Sequence, residues 1–194
     1  MTDGFSAYYE ATAGRPPRRT LLAALERFGE FRGFAVDLGC GDGRDTIELL
    51  RRGWSVLAID AEAGAIARLQ KRDDLPPARK LETRVARFEA SEWQAADLVN
   101  ASFALPLLPS GEFIATWRRI IRSLEPGGRF AGQFYGERDD WAGRPGVTCL
   151  TRAAAERNLD GLAVELFEEE ESDAVTPRGK PKHWHIFHIV ARRP

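Results

Sequence analysis

The chain has 194 residues, enough for one domain in which about 70% of the surface of the unfolded chain becomes buried. Its 28 Lys and Arg balance 29 Asp and Glu, so the net charge of −1 excludes the broad basic surface with which proteins bind nucleic acid or acidic membranes. No apolar run approaches the roughly 18 residues of a membrane span, and no export signal precedes the core. We therefore expect a soluble, cytoplasmic protein with both cysteines reduced.

The first half of the chain alternates between helices and strands. Residues 1–16 form an N-terminal segment that we interpret as a lid, ahead of an α/β core over residues 17–194 of a single domain spanning 1–194. The spacing of apolar residues predicts a helix over about 17–29, a strand at 34–38, a helix that ends at Gly53, a strand at 54–60 and a helix over about 62–72.

The second half continues this alternation and then breaks it. The predicted elements are strands at 81–88 and 97–103, a helix over 113–124 that EPGG terminates, a strand at 127–135 and a helix over 152–159. Two last strands, 162–172 and 183–193, are too close for a crossover helix and predict a hairpin, with Arg178, Lys180 and Lys182 in a solvated turn. We predict a doubly wound, Rossmann-like sheet of seven strands, mostly parallel with an antiparallel C-terminal hairpin strand.

A glycine-rich turn follows the first strand, in the stretch VDLGCGDGR. The dinucleotide fingerprint G-x-G-x-x-G fails here, because Arg44 stands where its third glycine is needed. The carboxylate of Asp37, two residues ahead of the first glycine, would repel a pyrophosphate and attract a cation. S-adenosylmethionine (SAM) meets these demands, since it carries an ammonium and a sulfonium and no phosphate. Asp60, at the end of the second strand, is placed to accept hydrogen bonds from both ribose hydroxyls.

These motifs resemble the class I SAM-dependent methyltransferases, and the resemblance covers nearly the whole chain. It rests on VDLGCGDGR, the acid in AID, LEPGG before the fifth strand and the terminal hairpin, and it points to small single-domain members of the tellurite-resistance and thiopurine branch. The resemblance implies a SAM site, without metal, formed by Asp37, Gly39, Cys40, Gly41, Gly43, Asp60, Ala61, Phe88, Glu89 and Asn100.

Several of these assignments have alternatives. The family usually places an acid after the third strand for the adenine amino group, and here Arg87 occupies that position; Phe88, through its backbone and ring, or Glu89 would take over. Asn100 lies either near the sulfonium or acts as a polar cap of the fourth strand. Cys40 suits a small packing residue between glycines better than a nucleophile.

The leading hypothesis is a small-molecule acceptor. One acceptor class is excluded: enzymes that methylate planar amines of bases or amides usually carry prolines at the tip of the fourth strand, and NASF lacks them. Candidate catalytic residues are His183 and His185, on one face of the last strand, and Tyr135 at the end of the fifth. The alternative is that both histidines are hydrogen-bonded within the sheet. His183 and His185 also suggest a metal pair, but no third ligand is evident.

Two other functions remain open from the sequence. A nicotinamide-dependent oxidoreductase would use the same kind of turn, although Arg44 argues against it. A SAM-binding protein without catalysis would share every feature of the cofactor site.

Overall fold

An eight-stranded sheet forms the centre of the described part of the chain. The structure is a computed structural model that describes residues 3–77 and 80–194, with side chains from residue 8 onward. The helices are α1 (Asp3–Thr12), α2 (Arg19–Phe28), α3 (Arg44–Arg51), α4 (Ala63–Gln70), α5 (Ser110–Ser123) and α6 (Arg152–Asn158). The strands are β1 (Phe34–Leu38), β2 (Ser55–Asp60), β3 (Lys80–Val85), β4 (Ala96–Ala101), β5 (Leu124–Gly136), β6 (Cys149–Leu150), β7 (Ala163–Val175) and β8 (Pro181–Arg192).

Seven of the strands lie in the order β3-β2-β1-β4-β5-β8-β7, with β6 paired to the end of β5. The first five in this order run parallel, whereas β8 is antiparallel to both β5 and β7. The doubly wound fold with a reversed last strand is confirmed. The two-residue strand β6 is an addition to the predicted seven, because a pair of residues is too short to give a periodic pattern.

Helices cover both faces of the sheet, as its largely apolar and buried central strands require. On one face, Phe113 and Trp117 of α5 pack edge-on against Phe134 and Phe130 of β5, with ring centroids 5.2 and 4.7 Å apart. On the other face, buried residues of α2 and α3 pack against the same strands. The sheet is therefore held by two cores, and its strand tips are left to form a site.

Two local differences from the sequence prediction concern the chain around the strand tips. EPGG does not separate α5 from β5: the strand begins at Leu124, and these residues form an irregularity where the pairing moves from Ala96–Leu124 to Leu98–Arg129. The N-terminal segment contains a helix, α1, that the sequence analysis did not predict. In the described residues no helix combines the length and apolar character needed to cross a bilayer.

Candidate active site

A cleft opens where β1 and β4 end, at the edge of the sheet where open α/β folds bind ligands. It encloses about 440 Å³, including the solvent at its mouth. The residues around it include Tyr8, Tyr9, Arg18, Asp37, Arg44 and Ser102. Two of them, Tyr8 and Tyr9, come from α1, so the segment interpreted as a lid contributes to the walls of the cleft.

The glycine turn forms the floor of this cleft and requires its glycines. Gly39 has a φ of 67° and Gly43 a φ of 89°, in the left-handed region that side chains disfavour. A Cβ at Gly39 would lie 2.7 Å from the Cβ of Ala104, and one at Gly43 would lie 2.3 Å from Cδ1 of Leu69. The turn consequently presents bare backbone to any ligand that lies against it.

Asp60 is bonded to the glycine turn across the gap between β2 and β1. Its Oδ2 accepts a hydrogen bond from the backbone N–H of Gly41 at 2.8 Å, and its Oδ1 accepts one from Glu62 at 2.9 Å. A carboxylate oxygen has two lone pairs, so each oxygen can still accept a hydrogen bond from a ligand hydroxyl. The next residue, Ala61, is exposed at the same strand tip.

A buried network of two carboxylates lies at the tip of β1. Asp37 accepts hydrogen bonds from the Thr46 hydroxyl at 2.5 Å and from Nδ2 of Asn100 at 2.8 Å. The same Asn100 amide reaches Asp45 at 3.2 Å, and the Ser102 hydroxyl donates to Asp45 at 2.6 Å. Burial, and then the nearby charge of Asp45, raise the pKa of Asp37 to about 7. This network thus holds more negative charge than its surroundings stabilise, which favours a cationic ligand.

Asn100 is completely buried, and its amide donates hydrogen bonds to both carboxylates. It therefore caps the end of its strand, and through Asp37 and Asp45 it also lies beside the cleft. Cys40 is buried in the turn, and burial followed by the charges of Asp37 and Asp60 raises the pKa of its thiol. A protonated thiol is a weak nucleophile, which agrees with a packing role for Cys40.

The segment after β3 carries the residues considered for adenine. The Phe88 ring lies beside the glycine turn, 3.6 Å from where a Cβ on Gly39 would be. Glu89 is ion-paired with Arg87, whose side chain is largely exposed. Arg119 of α5 donates to the backbone carbonyls of Phe88 and Glu89 at 3.3 and 3.0 Å and thereby fixes this segment.

This geometry coincides with a family match. Residues 35–128 match the pattern of a family described as a methyltransferase domain, and they contain β1 to β4, the glycine turn, Asp37, Asp60 and Asn100. This part of the chain is similar to a methyltransferase domain.

Known proteins similar to this chain include a curated methyltransferase and solved structures of the same fold. The sequence is 33% identical over 120 residues to trans-aconitate 2-methyltransferase from Afipia carboxidovorans, over 60% of this chain and 43% of that relative. This chain thus spans less than half the length of that curated relative. In fold it is similar to TehB from Haemophilus influenzae, with a TM-score of 0.78 and 18% identity over 100% of this chain and 67% of the other.

A second solved structure is similar to this chain over nearly the whole length of this chain. It is the 1,6-didemethyltoxoflavin-N1-methyltransferase from Burkholderia thailandensis, solved with S-adenosylhomocysteine (SAH) and 1,6-didemethyltoxoflavin bound. The TM-score is 0.67 and the identity 19%, covering 97% of this chain and 84% of the other. At this identity the likeness shows a shared fold.

An aromatic group lies beyond the glycine turn, on the face of the sheet that carries Asp37. The Tyr135 ring packs 6.3 Å from Phe103, 5.8 Å from Trp141 and 6.2 Å from Trp184 between centroids. Burial, and then the charge of Asp139, raise the pKa of the Tyr135 phenol far above its usual value. Tyr135 therefore lies on the cleft face of the sheet, but with a raised pKa it stays protonated at neutral pH and cannot accept a proton.

Lys182 is part of the same aromatic group, which corrects its placement in a solvated turn. Its ammonium is buried, contacts both oxygens of Asp139 at 2.5 Å and lies 3.6 Å from the Trp184 ring centroid. The hairpin strands extend further than predicted, to Val175 and from Pro181, which draws Lys182 into the sheet. Its alternation with Trp184 places both on the cleft face.

The two histidines predicted as catalytic lie on the opposite face of the sheet. His183 contacts Asp173 at 2.7 Å and Glu171 at 3.1 Å, and these bonds raise its pKa. His185 is buried, accepts a hydrogen bond from the backbone N–H of Arg138 at 3.1 Å and bonds Glu169 at 2.8 Å. Both rings are thus hydrogen-bonded within the hairpin, which was the alternative interpretation.

His188, the third histidine, is the one on the face of the cleft. It is buried behind Phe103, with Nε2 bonded to Glu170 at 2.9 Å, and burial lowers its pKa. Sequence reasoning also missed Asp45 and Arg18. The position of Asp45 in the first turn of a helix after a glycine turn was an available signal, whereas Arg18 reaches the cleft only through the packing of α2.

Two other features of the structure are weaker candidates for a functional site than this cleft. Glu169, Glu171 and His185 form a group with metal-ligating atoms, but Arg138 ion-pairs both carboxylates at 3.0 and 2.7 Å. A larger hollow of about 760 Å³ lies between α6 and β7 at the outer edge of the sheet, remote from the strand tips. Size therefore does not identify the site; the converging polar groups at the strand tips do.

Proposed function

We propose that this protein transfers the methyl group of SAM to a small-molecule acceptor. The observation that carries the proposal is the pair of carboxylates, Asp37 and Asp60, on either side of a glycine turn with bare backbone. Phosphate would be repelled by both acids, whereas the ammonium, sulfonium and ribose hydroxyls of SAM are complementary to them.

Each part of SAM has a partner in this arrangement. The ribose hydroxyls donate to the free lone pairs of Asp60, and the adenine lies toward Phe88. The α-ammonium lies at the Asp37 and Asp45 carboxylates, whose mutual repulsion it relieves. The sulfonium methyl is then directed past Ser102 at the tip of β4, toward the aromatic group.

The proposed reaction is an in-line displacement. The lone pair of the acceptor atom forms the new bond to the methyl carbon while the electrons of the sulfur–methyl bond stay on sulfur, which gives SAH. Because the donor is already activated, holding the acceptor atom about 3 Å from the methyl carbon supplies much of the catalysis. We assign no base to Tyr135, His183 or His185, since the first stays protonated and the other two face away from the cleft.

Three features support a small acceptor. The cleft is walled by α1, which leaves a limited opening. The curated relative is named for trans-aconitate, and one structural relative holds 1,6-didemethyltoxoflavin; both are small molecules. The net charge of −1 gives no overall positive field that would attract nucleic acid.

Calorimetric titration with SAM, SAH and NAD tests the cofactor. We expect SAM and SAH to bind and NAD not to bind. Asp60→Ala should weaken SAM binding, whereas Asp73→Ala, at an exposed acid that does not line the cleft, should not. Binding of NAD alone would establish the oxidoreductase alternative.

Transfer of a labelled methyl group then separates an enzyme from a SAM-binding protein. The purified protein is incubated with methyl-labelled SAM and a panel of thiols, phenols, amines, carboxylic acids and metalloid oxyanions. Label is expected in one chemical class of acceptor, and its appearance should depend on Asp60. SAM binding without transfer to any member of the panel would favour the non-catalytic alternative.

A further inference from the structure

We infer that the methyl acceptor carries an anionic group, a carboxylate or a similar oxyanion, and that Arg18 binds it. The inference rests on the proposed function and adds the chemical class of the second substrate. It is carried by two arginine side chains that converge on the cleft without a carboxylate partner.

Arg18 is held at the cleft by its neighbours. Its backbone N–H donates to Asp45 at 2.9 Å, and its guanidinium lies 4.4 Å above the centroid of the Phe103 ring. No described carboxylate lies within 4.0 Å of this guanidinium, whereas the next residue, Arg19, pairs with Glu168 at 2.5 Å outside the cleft. Stacking on an aromatic face leaves the planar edge of Arg18, with its N–H groups, available for an anion.

Arg44 adds a second cation beside Arg18. Its Nε donates to the Pro16 carbonyl at 2.6 Å, but its Nη1 is buried without a hydrogen-bond partner. Burial, and then the charge of Arg18, lower the pKa of Arg44. The charge of Asp45 also acts on Arg44, but the Asp45 oxygens already accept bonds from Arg18 N–H, Ser102 and Asn100. A bound anion would satisfy donors that the protein itself leaves unpaired.

SAM also carries a carboxylate. The position of each arginine therefore decides whether that arginine binds the SAM carboxylate or the anionic group of the acceptor. Arg44 begins α3 directly after the glycine turn, where the amino-acid end of SAM lies in the proposed arrangement. Arg18 lies over Phe103, one residue past Ser102 and in contact with the aromatic group, which is the direction of the methyl. Arg18 therefore faces the acceptor.

The backbone at Phe103 supports this assignment. Phe103 has a φ of 57°, and it is the only described residue other than glycine with a positive φ. Its N–H donates to Oε1 of Gln133 at 2.9 Å, and Gln133 is in turn bonded to Thr20 of α2. The left-handed conformation costs about 1 kcal/mol or more, and it sets the ring beneath Arg18. Strain retained at the end of β4 is consistent with a ring placed to orient a binding residue.

The test compares acids with their neutral amides. Wild-type protein saturated with SAH is titrated with benzoate, phenylacetate, fumarate and crotonate and with the four matching carboxamides. We expect at least one acid to bind about tenfold or more tightly than its amide. Arg18→Gln should remove that preference while Arg19→Gln, which leaves the cleft intact, retains it. Equal binding of acids and amides, or no acid binding, would overturn the inference.

A second titration separates the two anions. SAH and 5′-methylthioadenosine, which lacks the amino-acid end, are titrated into wild type and Arg18→Gln. Unchanged affinities for both are expected; loss of SAH affinity alone would show that Arg18 holds the carboxylate of SAM, and the inference would be wrong. If wild type binds neither nucleoside, the proposed function itself fails, and this result is distinct from either outcome for Arg18. Circular dichroism of the variants establishes that they are folded.

Discussion

Removing the charge of Asp37 should raise the free energy of unfolding of the protein and lower its affinity for SAM. Asp37 is 2% exposed, and in the substitution Asp37→Asn the side chain keeps its shape. The new carbonyl oxygen can accept from Asn100, and the new NH₂ group can donate to the Thr46 hydroxyl, so both hydrogen bonds persist. The variant therefore isolates the effect of charge.

The magnitude follows from the pKa of Asp37, which burial and Asp45 raise from 3.8 to about 7. A shift of about 3 units corresponds to about 4 kcal/mol, the free energy that the folded protein loses by ionising Asp37. We expect Asp37→Asn to recover about half of this free energy, near 2 kcal/mol at pH 8, which raises Tm by about 4 to 8 °C.

The sign depends on pH. The folded pKa lies above the unfolded one, so the stability contributed by protonated Asp37 is fully present below about pH 4 and is lost as pH rises through about 7. The advantage of Asp37→Asn should thus be largest at pH 8 and should vanish near pH 4. Asp73→Asn, on an exposed acid, should show no such trend.

Cofactor binding should move in the opposite direction. The α-ammonium of SAM is a cation and should bind only the ionised form of Asp37. The affinity of the wild-type protein for SAM should therefore fall about tenfold between pH 8 and pH 6. Asp37→Asn should bind SAM weakly and with little dependence on pH. Thermal melts at pH 4 and pH 8, with calorimetry, measure both effects. A variant less stable than wild type at pH 8, or one that binds SAM equally well, would refute the reasoning.

The remaining predictions concern the turn, the ribose site and the buried ion pair. Asp60→Ala should weaken SAM by about 1 to 3 kcal/mol in calorimetry, because it removes the acceptor of the ribose hydroxyls; unchanged affinity would contradict its role. Gly43→Ala should lower the free energy of unfolding in urea by about 1 to 3 kcal/mol, since its φ is 89° and the new Cβ meets Leu69, and an undiminished midpoint would oppose this. Lys182→Met should lower the free energy of unfolding by about 3 to 5 kcal/mol, because it leaves the buried Asp139 carboxylate without its ion-pair partner. Adding Asp139→Asn should restore much of this stability. An equal loss of stability in the single and double variants would count against the pairing.

Local patterns were enough to predict the main helices and strands and to bring Asp37, Asp60 and the glycine turn to one edge of the sheet. Apolar runs bounded by glycines identified β1 and β2, and their carboxyl-terminal acids identified Asp37 and Asp60, because parallel strands bring their ends to one edge of a sheet. The glycines could be assigned since their spacing follows from the backbone conformation of a single turn.

The side chains around the end of β5 could not be predicted from local patterns, because long-range packing brings them together. Arg18, Phe103 and Lys182 lie far apart along the chain and meet only because α2, β4 and β8 pack around the end of β5. The alternation of β8 correctly separated His183 and His185 from His188, but periodicity cannot state which face of a strand meets the cleft. That choice is made by the register between β5 and β8, where Tyr135 pairs with Ile186 and so turns His185 away from the site. The sequence alone thus determined which acids and glycines meet at the strand tips, whereas tertiary contacts decided which side chains lie around the aromatic group beside them.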